Sequence, residues 1–150
     1  MNTTKFTETI LINKNSELVF DFTQDYNKRL KWDTFLKKAN LIDGATEAGK
    51  GVKAYCVAKN GLGMKTEYVT YNRPKVTAIK MIDNSLLFKS FLGSWTFKEM
   101  PDNKTEVVFL YSFSLRFPFS LLINFIKKIL QTNVKQRLVD LKLNIEEEIG

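Results

Sequence analysis

FSLLINFIKKILQTNVKQRLVDLKLNIEEE, residues 119–148, is the stretch that decides the fold. It contains neither Pro nor Gly, and as a helix it would run roughly 40–45 Å at ~1.5 Å per residue. Apolar residues recur at helical spacing: Leu122, Phe125, Ile126 and Ile129, then Leu130, Val134, Leu138, Leu141 and Ile145. Lys127, Lys128, Lys135, Arg137 and Lys142 fill the other sides. An amphipathic helix of this kind must bury its apolar stripe on something. What precedes it reads mostly as β-strand. The spacing therefore predicts one curved sheet closing on one long helix, with room to hold a molecule between the two.

Outward from the helix, Lys104 to Arg116 and Leu86 to Met100 read as two long strands joined at Pro101-Asp102-Asn103. Lys75 to Ile82, Met64 to Tyr71, Gly51 to Lys59 and Leu36 to Ile42 read as four more. The breaks between them carry Asp83-Asn84-Ser85, Asn72-Arg73-Pro74, Asn60-Gly61-Leu62-Gly63 and Asp43-Gly44, the residue types that tight turns require. Connections this short imply an antiparallel meander. At the other end, Lys5 to Asn13 alternates as a first strand with Phe6, Ile10 and Ile12 on one face. Asn15 or Ser16 then caps a short helix ending near Asp25, and a second short helix or turn covers Asn27 to Phe35. The expected architecture is α+β: seven antiparallel strands, two short helices after the first, and one long C-terminal helix. With 150 residues and no linker or repeat, a single domain over residues 1–150 is expected.

Composition narrows the function classes. The chain has no histidine, which closes mechanisms that need an imidazole base or nucleophile activator, along with the usual Cys/His zinc sites. No cofactor, metal site or catalytic constellation is expected. The net charge is +7, but the basic residues are dispersed in runs no longer than two and no nucleic-acid motif accompanies them, so nucleic acid is not an expected partner. Cys56 is the one cysteine and reads as a small core residue beside Val52, Ala54 and Ala58. The N-terminus lacks the charged and apolar regions of a secretory signal, and no apolar run reaches the ~18 residues of a membrane span; the expected compartment is the cytoplasm. Glu67, Asp83 and Glu106 are the carboxylates nearest the sheet, and no spacing forces any two of them together.

Three stretches resemble the START-like (SRPBCC) helix-grip superfamily, in particular its polyketide cyclase/dehydrase and lipid-transport group. Residues 10–25, ILINKNSELVFDFTQD, resemble the group's opening strand, small polar break and Val-aromatic helix. Residues 29–44, RLKWDTFLKKANLIDG, carry a Trp-Asp pair, Trp32-Asp33, that matches its pattern and is expected to anchor the helix pair to the sheet. The third is the layout of a hairpin, a strand and one long helix, with Lys104-Thr105 where the group often has Gly-Thr. The resemblance implies a seven-stranded sheet gripping the C-terminal helix around an elongated cavity. It implies members that bind lipids, sterols, quinones, polyketides or plant-hormone-like compounds, some of which catalyse cyclisation or dehydration. No catalytic residue is shared across the superfamily, so none carries over.

Strand alternation supplies candidates for the cavity wall. Phe109, Tyr111 and Phe113 share a face with Val107; Phe91, Trp95 and Phe97 share one with Gly93; Ile79 and Met81 share one with Thr77; and Tyr71 shares one with Val69. From the helix, Phe125, Ile129 and Asn133, with Gln136, face the sheet if the helix keeps the orientation of its first half, although its stripe drifts toward Val134, Leu138 and Leu141. Tyr71, Tyr111 and Asn133 are the polar groups expected to orient a ligand. The expected partner is a small hydrophobic molecule carried or sensed in this cavity, with a cyclase- or dehydratase-like enzyme as the rival reading. Arg116-Phe117-Pro118-Phe119 and the following SLLINFIKKIL add a basic, aromatic entry to the helix. That entry suits either contact with an anionic membrane surface or a cover over the end of the sheet.

Overall fold

Two short helices separate the first strand from the other six, and this decides the topology. The computed structural model, which describes residues 3–149, has β1 (Thr4–Ile12), α1 (Ser16–Gln24), α2 (Arg29–Trp32) and β2 (Leu36–Leu41), followed by β3 (Lys53–Ala58), β4 (Gly63–Asn72) and β5 (Val76–Met81). β6 (Phe88–Met100), β7 (Lys104–Leu115), a 3-10 turn (Phe119–Leu122) and α3 (Ile123–Ile149) complete it. The helices carry the chain from one sheet edge to the other, so β1 pairs with β7 while β2 to β7 form a meander. Every pairing is antiparallel in the seven-stranded order β1-β7-β6-β5-β4-β3-β2. With α3 packed on the concave side, this is the helix-grip α+β architecture.

Local chemistry sets the element ends. Asn15 caps α1, its Oδ1 accepting from the Leu18 amide at 2.9 Å. At the β6–β7 hairpin, Asp102 and Asn103 both adopt left-handed backbone (φ 65° and 56°), which short polar side chains tolerate better than most. Asp33 leaves helical geometry, so the short helix or turn expected over Asn27–Phe35 is one helical turn, Arg29–Trp32, flanked by turns.

The register builds the inner face in rows. Phe6, Tyr111, Gly93, Ile79 and Tyr68 lie side by side across five strands, and Phe109, Trp95, Thr77 and Tyr71 form the adjacent row. The rows stay aligned because of a bulge in β4: Tyr68 pairs with Ile79 and Thr70 with Ala78, leaving Val69 as the extra residue. The inner-face set of β4 is therefore Thr66, Tyr68 and then Tyr71. Simple alternation from Tyr71 points instead to Val69.

α3 divides into two halves. Val134, Leu138, Leu141 and Ile145 are fully buried against the sheet's aromatic core. This half is pinned to β1, with Lys142 Nζ donating to the Leu11 carbonyl at 2.8 Å and the Asn13 amide donating to Glu146 Oε2 at 2.9 Å. The other half departs from the expected stripe. Leu122 belongs to the 3-10 turn before the helix, and Leu122, Phe125 and Ile129 are solvent-exposed, as is Gln136. Ile123, Ile126 and Leu130 pack inward there, and Ile126, Ile129, Leu130 and Asn133 border a cavity where the second half meets a packed wall. Phe117 (78% exposed) and Leu121 (74%) likewise leave the end of the sheet uncovered.

Candidate functional site

A cavity of about 270 Å3 lies between the inner face of the sheet and the first half of α3. This is near the lower edge of the range for small-molecule pockets. Its apolar end is formed by Leu87, Phe88, Phe91, Ile126, Ile129 and Leu130. Trp95 and Phe109 form the floor, stacked at 4.1 Å between centroids with 14° between planes. The space above Gly93 meets Phe91, Phe109 and Ile79 at 3.5–3.6 Å, ordinary van der Waals distances.

The opposite end is polar. Gln24, Tyr26, Arg29, Thr66, Tyr68, Tyr111 and Arg137 meet there, with Cys56 beside them. Tyr68 donates to Gln24 Oε1 at 2.7 Å, and Gln24 Nε2 donates to Thr23 Oγ1 at 2.9 Å, so the amide is held in one orientation. Arg137 donates through Nε and Nη2 to the two carboxylate oxygens of Asp33 (3.0 and 2.8 Å) and through Nη1 to the Tyr111 hydroxyl (2.6 Å). Arg29 donates through Nε to Asp33 Oδ2 at 2.8 Å, its guanidinium lying 5.2 Å from the Trp32 ring and 5.6 Å from the Tyr26 ring. Trp32 itself is fully buried, edge-on to Trp95 at 6.1 Å.

These groups are buried, and their titration follows from that. Burial raises the Asp33 carboxyl pKa, but Arg137 and Arg29 outweigh it and bring the value to about 2. Burial also works against both guanidinium charges; Asp33 more than offsets it, and both pKa values lie above the ordinary arginine value. Tyr26, Tyr68 and Cys56 are all pushed up, chiefly by burial, so each is neutral at physiological pH. Among the described residues, no group of Cys, Asp and Glu is placed to hold a metal ion.

Seven of the twelve residues expected on the wall border this cavity: Ile79, Phe91, Trp95, Phe109, Tyr111, Ile129 and Asn133. Five stand elsewhere. Phe97 and Phe113 are core, the first against Phe20 and Trp95, the second between Phe6 and Phe88. Met81 packs on that core from the edge. Tyr71 sits edge-on to Phe20 and Tyr68 and borders a separate, mostly polar open groove of about 910 Å3 with Asp21, Asp25, Glu47 and Arg73. Phe125 projects from α3 into solvent. Alternation from Tyr71 misses Tyr68 because of the Val69 bulge. Arg29 and Arg137 are absent from the expected wall because basic residues on amphipathic helices ordinarily lie on the solvated face. The matching signal was present: a Trp-Asp pair whose buried acid needs cations.

A family model for polyketide cyclase / dehydrase and lipid transport matches residues 3–146. No curated protein matches the sequence. The Zhui aromatase/cyclase from Streptomyces sp. R1128 superposes with a TM-score of 0.84 at 13% identity, covering 99% of this chain and 97% of that one. TTHA0849 from Thermus thermophilus gives 0.83 at 16% identity over 98% and 100% of the two chains. A START superfamily protein from Mycobacterium smegmatis gives 0.81 at 9% identity over 95% and 97%. At these identities the likeness is one of fold.

Proposed function

The chain belongs to the polyketide cyclase / dehydrase and lipid transport family, and from that premise we propose that it is a single helix-grip domain that binds a small hydrophobic molecule as carrier or sensor. The observation that supports this is the cavity between sheet and α3, apolar at one end and polar at the other. Burial of a ligand's apolar body there contributes roughly 25 cal/mol per Å2 removed from water. In this reading Tyr111 and Asn133, which line the cavity, orient the ligand, with Ile79, Phe91, Trp95, Phe109 and Ile129 as apolar wall. A cyclase step is less well supported. Among the described residues no Asp or Glu lines the cavity, and Tyr26 and Tyr68, raised by burial, are poor bases at neutral pH.

The test is native mass spectrometry of the purified protein, with organic extraction and identification of whatever is bound. A stoichiometric apolar small molecule supports the reading. An empty protein that shows no thermal shift with a lipid and aromatic library contradicts it.

A second reading rests on a separate observation. Phe117, Leu121, Leu122, Phe125 and Ile129 form an exposed apolar run at the α3 entry beside Lys127 and Lys128, and Ile129 also borders the cavity. Such a surface suits an anionic membrane from which a ligand is taken up. Binding to phosphatidylserine vesicles that weakens with salt and is lost in a Lys127→Glu/Lys128→Glu variant supports it. Vesicle binding unchanged in that variant contradicts it.

A further inference from the structure

The polar end of the cavity is not charge-balanced. Two buried guanidiniums, Arg29 and Arg137, share one buried carboxylate, Asp33. Among the described residues, Asp33 is the carboxylate in ion-pair contact with either arginine, and the other groups beside them are Tyr26 and Cys56, both pushed up by burial, and the Tyr111 hydroxyl. The two arginines are used differently. Arg137 is committed through Nε, Nη1 and Nη2 to Asp33 and Tyr111. Arg29 commits Nε to Asp33 and is also hydrogen-bonded to the Tyr26 side chain, and the remaining N–H groups of its planar fork lie beside Trp32 at the cavity wall. One positive charge in excess is thus held at the inner end of a small, largely apolar space. A buried charge without a full counter-charge is costly, and an arginine fork matches a carboxylate in geometry and sign.

We infer that the cavity selects an acidic ligand: a small apolar body bearing one carboxylate, seated on the free side of the Arg29 guanidinium. The excess is a single charge, so a monoanion balances it and a phosphate dianion overshoots it. Leu87, Phe88, Phe91 and Leu130 receive the apolar body, while the neutral Tyr26 hydroxyl is a donor for the second carboxylate oxygen, the Tyr68 proton being already given to Gln24. This inference rests on the cavity being a ligand site.

The experiment is calorimetric titration at pH 7 of two acid–neutral pairs, decanoate against decan-1-ol and 2-naphthoate against 2-naphthamide. In the wild-type protein the acid of at least one pair binds about tenfold or more tightly than its neutral partner, as one charge-assisted contact to a buried guanidinium supplies. The acid-over-neutral ratio falls toward one in Arg29→Gln and is partly kept in Arg29→Lys. Equal affinities within both pairs for the wild-type protein overturn the acidic-ligand inference and leave the cavity-binding reading standing. Binding of neither pair overturns both. The wild-type comparison needs no substitution, so a variant that fails to fold does not blunt it.

Discussion

Asp33 is the residue on which the site turns. It lies at the end of a single-turn helix, with no accessible surface, and receives hydrogen bonds from Arg29 on α2 and Arg137 on α3. It therefore ties the short helices to the long one at the cavity's polar end. Its carboxyl pKa of about 2 lies below the ~3.9 of an unfolded aspartate. A carboxyl depressed in the folded state stabilises above the unfolded pKa and loses that contribution as pH falls through the folded one. Asp33→Asn should cost roughly 3–5 kcal/mol at pH 7, because it leaves two buried guanidiniums without a counter-charge. Urea denaturation is the check. The wild-type unfolding free energy should also drop between pH 4 and pH 2 more steeply than that of the variant. Parallel pH profiles would show that Asp33 does not carry this linkage. Trp32-Asp33 stood out in the sequence, and the structure shows why the acid needs its cations. Which of 23 basic residues would supply them was not legible, because that depends on where α2 and α3 meet in space.

At the scale of elements, α3 is two helices in function. From Val134 onward its apolar residues are core, and Leu138→Ala should cost about 2–5 kcal/mol by transfer and cavity terms. Before Val134 the same spacing leads to a different outcome. Phe125 is 64% exposed, so Phe125→Ser should change stability by no more than about 0.5 kcal/mol. Guanidinium melts of the two variants side by side check the contrast. A loss at Phe125 comparable with that at Leu138 would mean the first half is covered. Helical periodicity shows that a stripe exists. It does not show whether the opposing surface is a packed wall or a space, and here it changes from one to the other within a single helix. β4 makes a parallel point. Its strand character and the inner-face Tyr71 were legible, but Tyr68 was not, because the Val69 bulge, which shifts the parity between Tyr68 and Tyr71, leaves no mark in residue type.

The molecule as a whole was the most legible level. Turn residues between β-rich segments, a Pro-free and Gly-free amphipathic stretch at the end, and two short helices after the first strand leave few topologies to consider. The seven-stranded order with β1 against β7 is the one that lets α3 lie across a continuous concave face. That geometry gives the cavity an apolar part and a charged part, and Ile129 of the exposed first half of α3 borders it. The proposed function rests on this interior space being a ligand site. Two-dimensional methyl NMR of the protein titrated with 2-naphthoate tests it most directly. The expected result is saturable shifts of the Ile79, Leu87, Ile126 and Leu130 methyls, which line the cavity, with the solvent-facing Leu121 and Leu143 unmoved. Shifts confined to Leu121, Leu122 and their surface neighbours, or no saturable shift at all, would contradict it.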